Sequence, residues 1–274
     1  MSDIKIIQDK ILSILKEFIN ICEENNLTYY ALGGTLLGAV RHKGFIPWDD
    51  DIDIGMPRED YEKFKKIAPS LLSSNLKIVN NPLNLDITQL VDKNVVVKLV
   101  NSESNVFIDV FPLDGYPEKA SFSAKFHSYK VLFQRMLCKI SVLDQLEDKN
   151  RGTLENLIVK ISKTLRIQKV LPKDALVKNL HKVIQKYDFK TSSYVGNVLG
   201  RYRVREIVPR EYFKEPISLA FEDTMINCPT KYKEYLTEIY GDYMTLPPEE
   251  DRVAHNLELV SLKRNGEEKK KKKN

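Results

Sequence analysis

The apolar positions near the N-terminus recur in steps of three and four residues. Between residues 4 and 24 they are Ile4, Ile7, Ile11, Ile14, Phe18 and Ile21. This spacing predicts a helix that packs through a single stripe. The same period predicts a second helix over residues 58–68, with Tyr61, Phe64 and Ile67 on its buried face.

Shorter apolar runs, rich in β-branched residues, indicate strands. The predicted strands cover residues 27–32, 76–79, 88–91, 95–100, 106–112 and 219–228, and a further helix follows Pro229. Residues 120–190 have a helical pattern instead. One helix there carries Phe122, Phe126, Tyr129, Leu132, Phe133 and Met136, and another carries Leu154, Ile158, Ile161 and Leu165. We therefore predict an α+β fold with a mixed β-sheet core, flanking helices and an inserted helical lobe at about residues 120–190. For the second of the two helices we favour packing inside the lobe over contact with a membrane surface.

The length of 274 residues and the hydrophobic content of 42% are those of a folded protein with one large core. We predict one domain over residues 1–262. The N-terminus lacks the features of a signal peptide, and no run is long and apolar enough to span a bilayer, so we expect a cytoplasmic protein. Cys22, Cys138 and Cys228 lack metal-site spacing, and we interpret them as reduced core residues.

The charge is segregated along the chain. Residues 263–274 carry seven basic and two acidic residues, and we predict a disordered lysine-rich tail there. Residues 120–190 hold fifteen Lys or Arg against six Asp or Glu. A basic lobe suits a polyanionic acceptor or a peripheral contact with the inner face of the membrane, for which the helix bearing Lys160, Lys163 and Arg166 is the candidate; a solvated face is the alternative. Nucleic-acid binding is not expected, because the basic residues lack interleaved aromatics.

A glycine-rich turn offers a place for a phosphate. Gly33 and Gly34 allow a tight turn close to a ligand, and Thr35 is a suitable N-cap for a short helix after it. Such a helix start presents free N–H groups to phosphate oxygens. The sequence lacks the Gly-Lys-Ser/Thr of a P-loop and the Gly-x-Gly-x-x-Gly of a dinucleotide fold.

Acids alternate with isoleucines shortly afterwards. In residues 51–54 the strand period of two places Asp51 and Asp53 on one face, with Asp49 one strand step earlier. Asp109 lies alone in an apolar run, where a buried carboxylate needs a partner. Together these acids predict an oxygen-ligand site for Mg²⁺, with Mn²⁺ as the alternative ion.

Three short strings resemble the motifs of the nucleotidyltransferase superfamily: Leu32-Gly33-Gly34, Asp51-Ile52-Asp53 and Ile108-Asp109-Val110. Longer strings at residues 34–42, 47–54 and 109–115 resemble its LicD branch, which contains bacterial phosphocholine transferases and fukutin-related ribitol-phosphate transferases. The likeness continues through residues 240–244, Pro247-Pro248, Arg252 and His255.

The resemblance implies transfer of phosphocholine from CDP-choline to a hydroxyl of a cell-surface glycan, of the teichoic acid or lipopolysaccharide type, or of its lipid-linked precursor. Asp51, Asp53 and Asp109 would hold the metal, with Asp49 as a further ligand. Substrate would be bound by Gly33, Gly34, Thr35, Arg41, Lys43, Arg252 and His255. Three alternatives stay open: another CDP-alcohol donor such as CDP-ribitol, transfer of the nucleotide itself, and a non-catalytic nucleotide- or glycan-binding protein.

Overall fold

The computed structural model describes residues 3–80, 87–98, 103–143, 159–162, 164, 166, 170–252, 258–264 and 267–270. Its helices are α1 (Asp3–Glu24), α2 (Gly33–His42), α3 (Arg58–Leu71), α4 (Phe122–Ser141), α5 (Lys173–Ile184) and α6 (Tyr232–Tyr240). Its first six strands are β1 (Tyr30–Ala31), β2 (Asp53–Pro57), β3 (Leu76–Asn80), β4 (Thr88–Lys98), β5 (Glu103–Tyr116) and β6 (Tyr194–Gly196). The remaining strands are β7 (Ile207–Pro209), β8 (Ile217–Phe221), β9 (Thr224–Cys228), β10 (Glu258–Arg264) and β11 (Glu267–Lys270).

The main sheet is mixed, which confirms the predicted α+β class. Its strands follow the order β1-β2-β5-β4-β10-β11, with β3 beside β4 and β6 between β5 and β7. The pairing of β2 with β5 is parallel, and the other pairings in this sheet are antiparallel. Strand β5 therefore links the two halves of the sheet, and it carries Asp109.

Helix α1 packs on this sheet through the predicted apolar stripe. Ile7, Ile11, Ile14 and Phe18 are at most 1% exposed. The Phe18 ring lies 5.2 Å from the ring of Tyr29 and 5.0 Å from that of Phe64, in edge-to-face contacts. This burial of aliphatic and aromatic surface stabilises the packing of α1 on the sheet.

A buried ion pair holds α3 against the end of β5. The Arg58 guanidinium donates to both carboxylate oxygens of Asp114, at 2.8 Å from Nε and 2.5 Å from Nη2. The Asp114 side chain is 3% exposed and that of Arg58 is 14% exposed. A charge this deeply buried depends on its partner.

Several predicted elements differ from the observed ones. The strand predicted at 27–32 is reduced to Tyr30–Ala31, the predicted strands at 88–91 and 95–100 form the single strand β4, and residues 219–228 form the hairpin β8–β9. Cys22, Cys138 and Cys228 are free and buried, as predicted.

In the C-terminal tail the structure also differs from the prediction of disorder, because β10 runs to Arg264 and pairs with Glu267–Lys270. Backbone pairing of this kind leaves no apolar signal in a lysine-rich sequence.

The helical lobe is described through α4, α5 and a few residues between them. Val131 and Cys138 of α4 pack on Leu176, Leu180 and Ile184 of α5. Leu154, Ile158, Lys163 and Leu165, which were assigned to another helix of the lobe, lie outside the described residues. In the part of the chain that the structure describes, no helix is long and apolar enough to cross a membrane.

Candidate active site

Two of the predicted carboxylates lie side by side on the sheet. Strands β2 and β5 pair in parallel with Asp53 directly opposite Asp109. The Asp109 amide donates to the carbonyl of Ile52 at 2.9 Å, so the ladder begins just after Asp51. The side-chain amide of Gln89, on β4, donates a hydrogen bond from Nε2 to Asp109 Oδ1 at 2.9 Å and so orients this carboxylate.

The start of α2 forms the wall beside these acids. The helix begins at Gly33, which has a left-handed φ of +49° that glycine adopts without strain. A Cβ on Gly33 would lie 3.3 Å from Asp53 Oδ2, and one on Gly34 would lie 2.7 Å from Asp49 Oδ2. The two glycines therefore let the N-terminal turn of α2 approach the carboxylates closely.

Thr35 does not cap α2 and instead accepts a hydrogen bond from β2. The helix is already under way at Thr35, and its N-cap residue is Leu32, so the prediction that Thr35 caps the helix is wrong. The Thr35 side chain is buried, and its hydroxyl accepts a hydrogen bond from the Asp53 amide at 2.8 Å. Thr35 thus joins α2 to the first residue of β2 and positions Asp53.

The acids share one electrostatic environment. Burial, followed by the charges of Asp51, Asp109 and Asp49, raises the pKa of Asp53 well above its ordinary value. Burial also raises the pKa of Asp109 to about 6, opposed by the hydrogen bond from Gln89 and supported by the charge of Asp51. A cluster of like charges in a buried place favours a cation or a proton.

Over the described residues, no group of three or more His, Cys, Asp or Glu side chains has an arrangement that could hold a metal ion. The donor set still fits Mg²⁺, because this ion usually takes one or two carboxylates and completes its shell with water and substrate phosphates. Asp51, Asp53 and Asp109 are the residues that would hold it, with Asp49 beside them, and that assignment stays a prediction.

The predicted basic residues are placed differently from one another. Arg41 lines the cleft and donates to the carbonyl of Tyr243 at 3.1 Å. Lys43 ends α2 in a left-handed conformation, is exposed, and is not among the residues that line the cleft. A phosphate contact from Arg41 is consistent with its position, whereas Lys43 would have to approach from outside.

The guanidinium of Arg252 lies over the Trp48 ring. It lies 5.5 Å from the centre of the ring, and Arg252 Nε donates to the carbonyl of Pro247 at 2.9 Å. Trp48 lines the cleft, but this contact favours a packing role for the ring over an open cage for a quaternary ammonium. His255 lies outside the described residues.

Two further charged residues of the cleft, Glu206 and Arg135, are not predicted from the sequence. Glu206 is buried, and one of its oxygens accepts from the Tyr202 amide at 2.7 Å. Burial raises the pKa of Glu206 to about 7, opposed by this hydrogen bond, by the charge of Arg135 and by a hydrogen bond with Asn197. Arg135 comes from α4 and donates to the carbonyl of Leu199 at 3.1 Å.

These groups line one cleft of about 920 Å³, a size that accommodates a nucleotide-sized ligand. Its acidic side consists of Asp49, Asp51, Asp53 and Asp109, and its opposite side of Arg135, Arg201, Tyr202 and Glu206. Tyr235 and Tyr240 of α6 also line it. Apart from the residues near position 240, no motif marked this wall, because single charged or aromatic residues far apart in sequence show no pattern before folding.

The mixed sheet, the glycine-rich helix start and the paired aspartates on neighbouring strands define a nucleotidyltransferase-type site. Residues 26–139 match the family model described as "LicD/FKTN/FKRP, nucleotidyltransferase domain". The chain is also 33% identical over 259 residues to the lipopolysaccharide cholinephosphotransferase LicD of Haemophilus influenzae, covering 90% of this chain and 93% of that protein. The chain belongs to the LicD family.

Two further relatives cover less of the chain. An uncharacterized protein of Rickettsia typhi is 31% identical over 129 residues, which is 46% of this chain and 42% of that protein. The human ribitol 5-phosphate transferase FKRP is 45% identical over 42 residues, which is 15% of this chain and 8% of that protein.

Proposed function

We propose that this protein transfers phosphocholine from CDP-choline to a hydroxyl of a cell-surface glycan or of its lipid-linked precursor, with Mg²⁺ as cofactor. The observation that carries the proposal is the pairing of Asp53 with Asp109 beside the N-terminus of α2, in a chain similar over 90% of its length to a lipopolysaccharide cholinephosphotransferase. Transfer of another phospho-alcohol is the second candidate, favoured by the local similarity to a ribitol 5-phosphate transferase.

The N-terminal turn of α2 would bind the diphosphate. Its backbone N–H groups and the helix dipole favour an anion there, and Gly33 and Gly34 line the cleft and bring this turn close to the carboxylates of Asp53 and Asp49. Arg41, at the other end of the helix, would contact the same ligand from the side of the cleft. These contacts orient the phosphorus that receives the acceptor oxygen.

In the proposed reaction the acceptor hydroxyl attacks the phosphorus that bears choline. A new P–O bond forms, the P–O bond to the bridging oxygen breaks, and CMP leaves with the electron pair. Asp109 would either help to hold Mg²⁺ near the acceptor oxygen or accept the hydroxyl proton, and without a bound cation burial raises the pKa of its carboxyl to about 6. Bound Mg²⁺ would neutralise the charge that develops on the leaving phosphate.

The test is CMP release from CDP-choline in the presence of a cell-envelope glycan fraction, with Mg²⁺ or with EDTA. We expect release only with Mg²⁺, together with choline phosphate bound to the glycan fraction. CDP-ribitol in the same assay tests the second candidate. Incorporation of labelled CMP, instead of its release, would show transfer of the nucleotide and refute the proposal.

A matched pair of variants tests the site. Asp53→Asn should abolish transfer and the rise in melting temperature caused by Mg²⁺, since it removes a charge from the cluster without changing shape. Asp242→Asn is the control, because Asp242 lines the same cleft but is exposed and bonded to Thr245. Equal loss of transfer in both variants would contradict the special role of Asp53.

A further inference from the structure

Helix α4 is apolar on two opposite faces. The inner face carries Ala124, Val131 and Cys138, each at most 3% exposed, and Val131 and Cys138 pack on α5. This packing already accounts for the helix as part of the lobe. The other face needs a separate explanation.

The outer face consists of large side chains that reach solvent. Phe122 is 83% exposed, Tyr129 is 72% exposed, and Phe126 and Phe133 are 53% and 54% exposed. Together with Met136 these positions follow the helical steps of four, three, four and three residues, so they form one stripe, and Leu132 lies beside it. Sequence periodicity predicts only that these residues share one helix, and the structure leaves their side chains exposed. A continuous exposed stripe of this size indicates a binding surface.

The charges along α4 are all of one sign. The helix contains no Asp or Glu, and Lys125, Lys130 and Lys139 are exposed. The Lys130 ammonium lies 4.6 Å from the centre of the Phe126 ring, so a cation stands directly beside the stripe. The fourth basic residue, Arg135, turns towards the cleft instead.

We propose that the outer face of α4 docks on an anionic lipid surface. Phenylalanine and tyrosine rings enter the boundary between headgroups and acyl chains, and the lysine ammonium groups bind lipid phosphates. A second copy of the chain is a poorer partner, because a twofold interface would bring the same lysines together with no acidic residue on the helix to balance them.

The position of the stripe relates this surface to the cleft. Arg135 lies on the inner half of the same helix and lines the cleft, and an α-helix with its side chains is about 10 Å wide. The part of the cleft wall formed by Arg135 therefore lies about one helix diameter from the docked bilayer. This places it near a lipid-linked substrate, but the docking itself does not depend on the reaction proposed above.

Co-sedimentation of the full chain with vesicles tests the proposal without any activity measurement. We expect binding to vesicles of phosphatidylethanolamine and phosphatidylglycerol, and little binding to phosphatidylcholine alone. The triple variant Phe122→Ser, Phe126→Ser, Phe133→Ser should bind about tenfold more weakly or worse. The control Leu71→Ser, Met225→Ser removes exposed apolar side chains elsewhere and should bind like the wild type.

The charges are tested in the same way. Lys125→Gln, Lys130→Gln should weaken binding, whereas Lys66→Gln, Lys77→Gln, which removes the same charge from another exposed part of the chain, should not. Binding should fall as NaCl rises from about 0.1 M to about 1 M, because the Debye length drops from about 10 Å to about 3 Å. Because the changed side chains are exposed, every variant should keep the melting temperature of the wild type.

A fluorescent probe reports insertion directly. Trp48 is the only tryptophan of the wild type and lies in the cleft. Phe126→Trp should add an emission that brominated lipids quench, while the wild-type emission stays unquenched. Unchanged vesicle binding in the folded triple serine variant would overturn the proposal. So would the absence of vesicle binding together with a dimer that this variant dissociates, since that would identify the face as a contact between copies.

Discussion

The hydrogen bond between the Asp53 amide and the Thr35 hydroxyl can be removed with almost no change of shape. Thr35→Val keeps the branched side chain and replaces the acceptor with a methyl group. The bond is 2.8 Å long and the Thr35 side chain is buried, so water cannot readily replace the lost acceptor. A donor left unsatisfied in such a place costs about 2 kcal/mol, which lowers the melting temperature of a domain of this size by about 4–8 °C.

The effect on activity should be larger than the effect on stability. Asp53 is the first residue of β2, and its amide is held by α2 through this bond. In the function proposed above Asp53 is a metal ligand, and a displacement of a catalytic group by about 1 Å reduces rates by about 100-fold. We therefore expect Thr35→Val to reduce kcat for CMP release by about 10-fold to 100-fold in protein that is still folded.

Thr35→Ser is the matched control. It keeps the acceptor oxygen and loses one buried methyl group, which costs about 1 kcal/mol. Both variants are therefore destabilised, but only the valine variant should lose activity at a temperature where both are folded. Urea denaturation gives the stabilities and a CMP-release assay gives kcat. Equal kcat in both variants would refute the positioning role of Thr35.

Three further predictions concern stability. Arg58→Met should lower the free energy of unfolding in urea by about 3 kcal/mol, because it leaves the buried Asp114 carboxylate without its guanidinium, and a change below about 0.5 kcal/mol would contradict this. Burial lowers the pKa of His127 to about 4, so the unfolded chain binds more protons at this position, and the free energy of unfolding should fall as the pH drops from about 6.5 towards 4. His127→Phe should reduce this loss by up to about 2 kcal/mol. The same pH profile of stability in the variant and the wild type would disprove this role of His127. Burial raises the pKa of Glu206 to about 7, so the stability that its protonated carboxyl contributes is lost as the pH rises through 7. Between pH 5 and pH 8 the free energy of unfolding of Glu206→Gln should therefore rise by about 1–3 kcal/mol relative to that of the wild type. Urea denaturation at both pH values measures this difference, and an unchanged difference would contradict the prediction.

Local patterns were sufficient for the elements that carry the acids. The alternation around Asp53 and the apolar run around Asp109 predicted two strands, and the resemblance to a known family linked them. The start of α2 was misplaced because the left-handed φ of Gly33 allows the helix to begin before Thr35. Periodicity located α4 correctly, but it could not tell which of two apolar faces the lobe would bury.

The far wall of the cleft could not be predicted from local patterns. Glu206 and Arg135 are 71 positions apart, and each is an ordinary charged residue in its own segment. Their importance arises only when β6 and β7 pair beside β5 and α4 packs across them. Single-sequence reasoning has no access to such contacts, since they depend on tertiary packing and not on a repeating pattern.

The long separation between the two sides of the cleft also has a consequence for biosynthesis. Translation delivers the acids at positions 51–53 and 109 well before Glu206, Tyr235 and Tyr240, which line the same cleft. A nascent chain released after β5 would thus carry a group of mutually repelling carboxylates with no opposite wall. Contacts between distant segments form slowly. If the cleft binds the proposed nucleotide donor, a growing chain acquires this binding only at the end of folding, and a fragment limited to residues 26–139 lacks it.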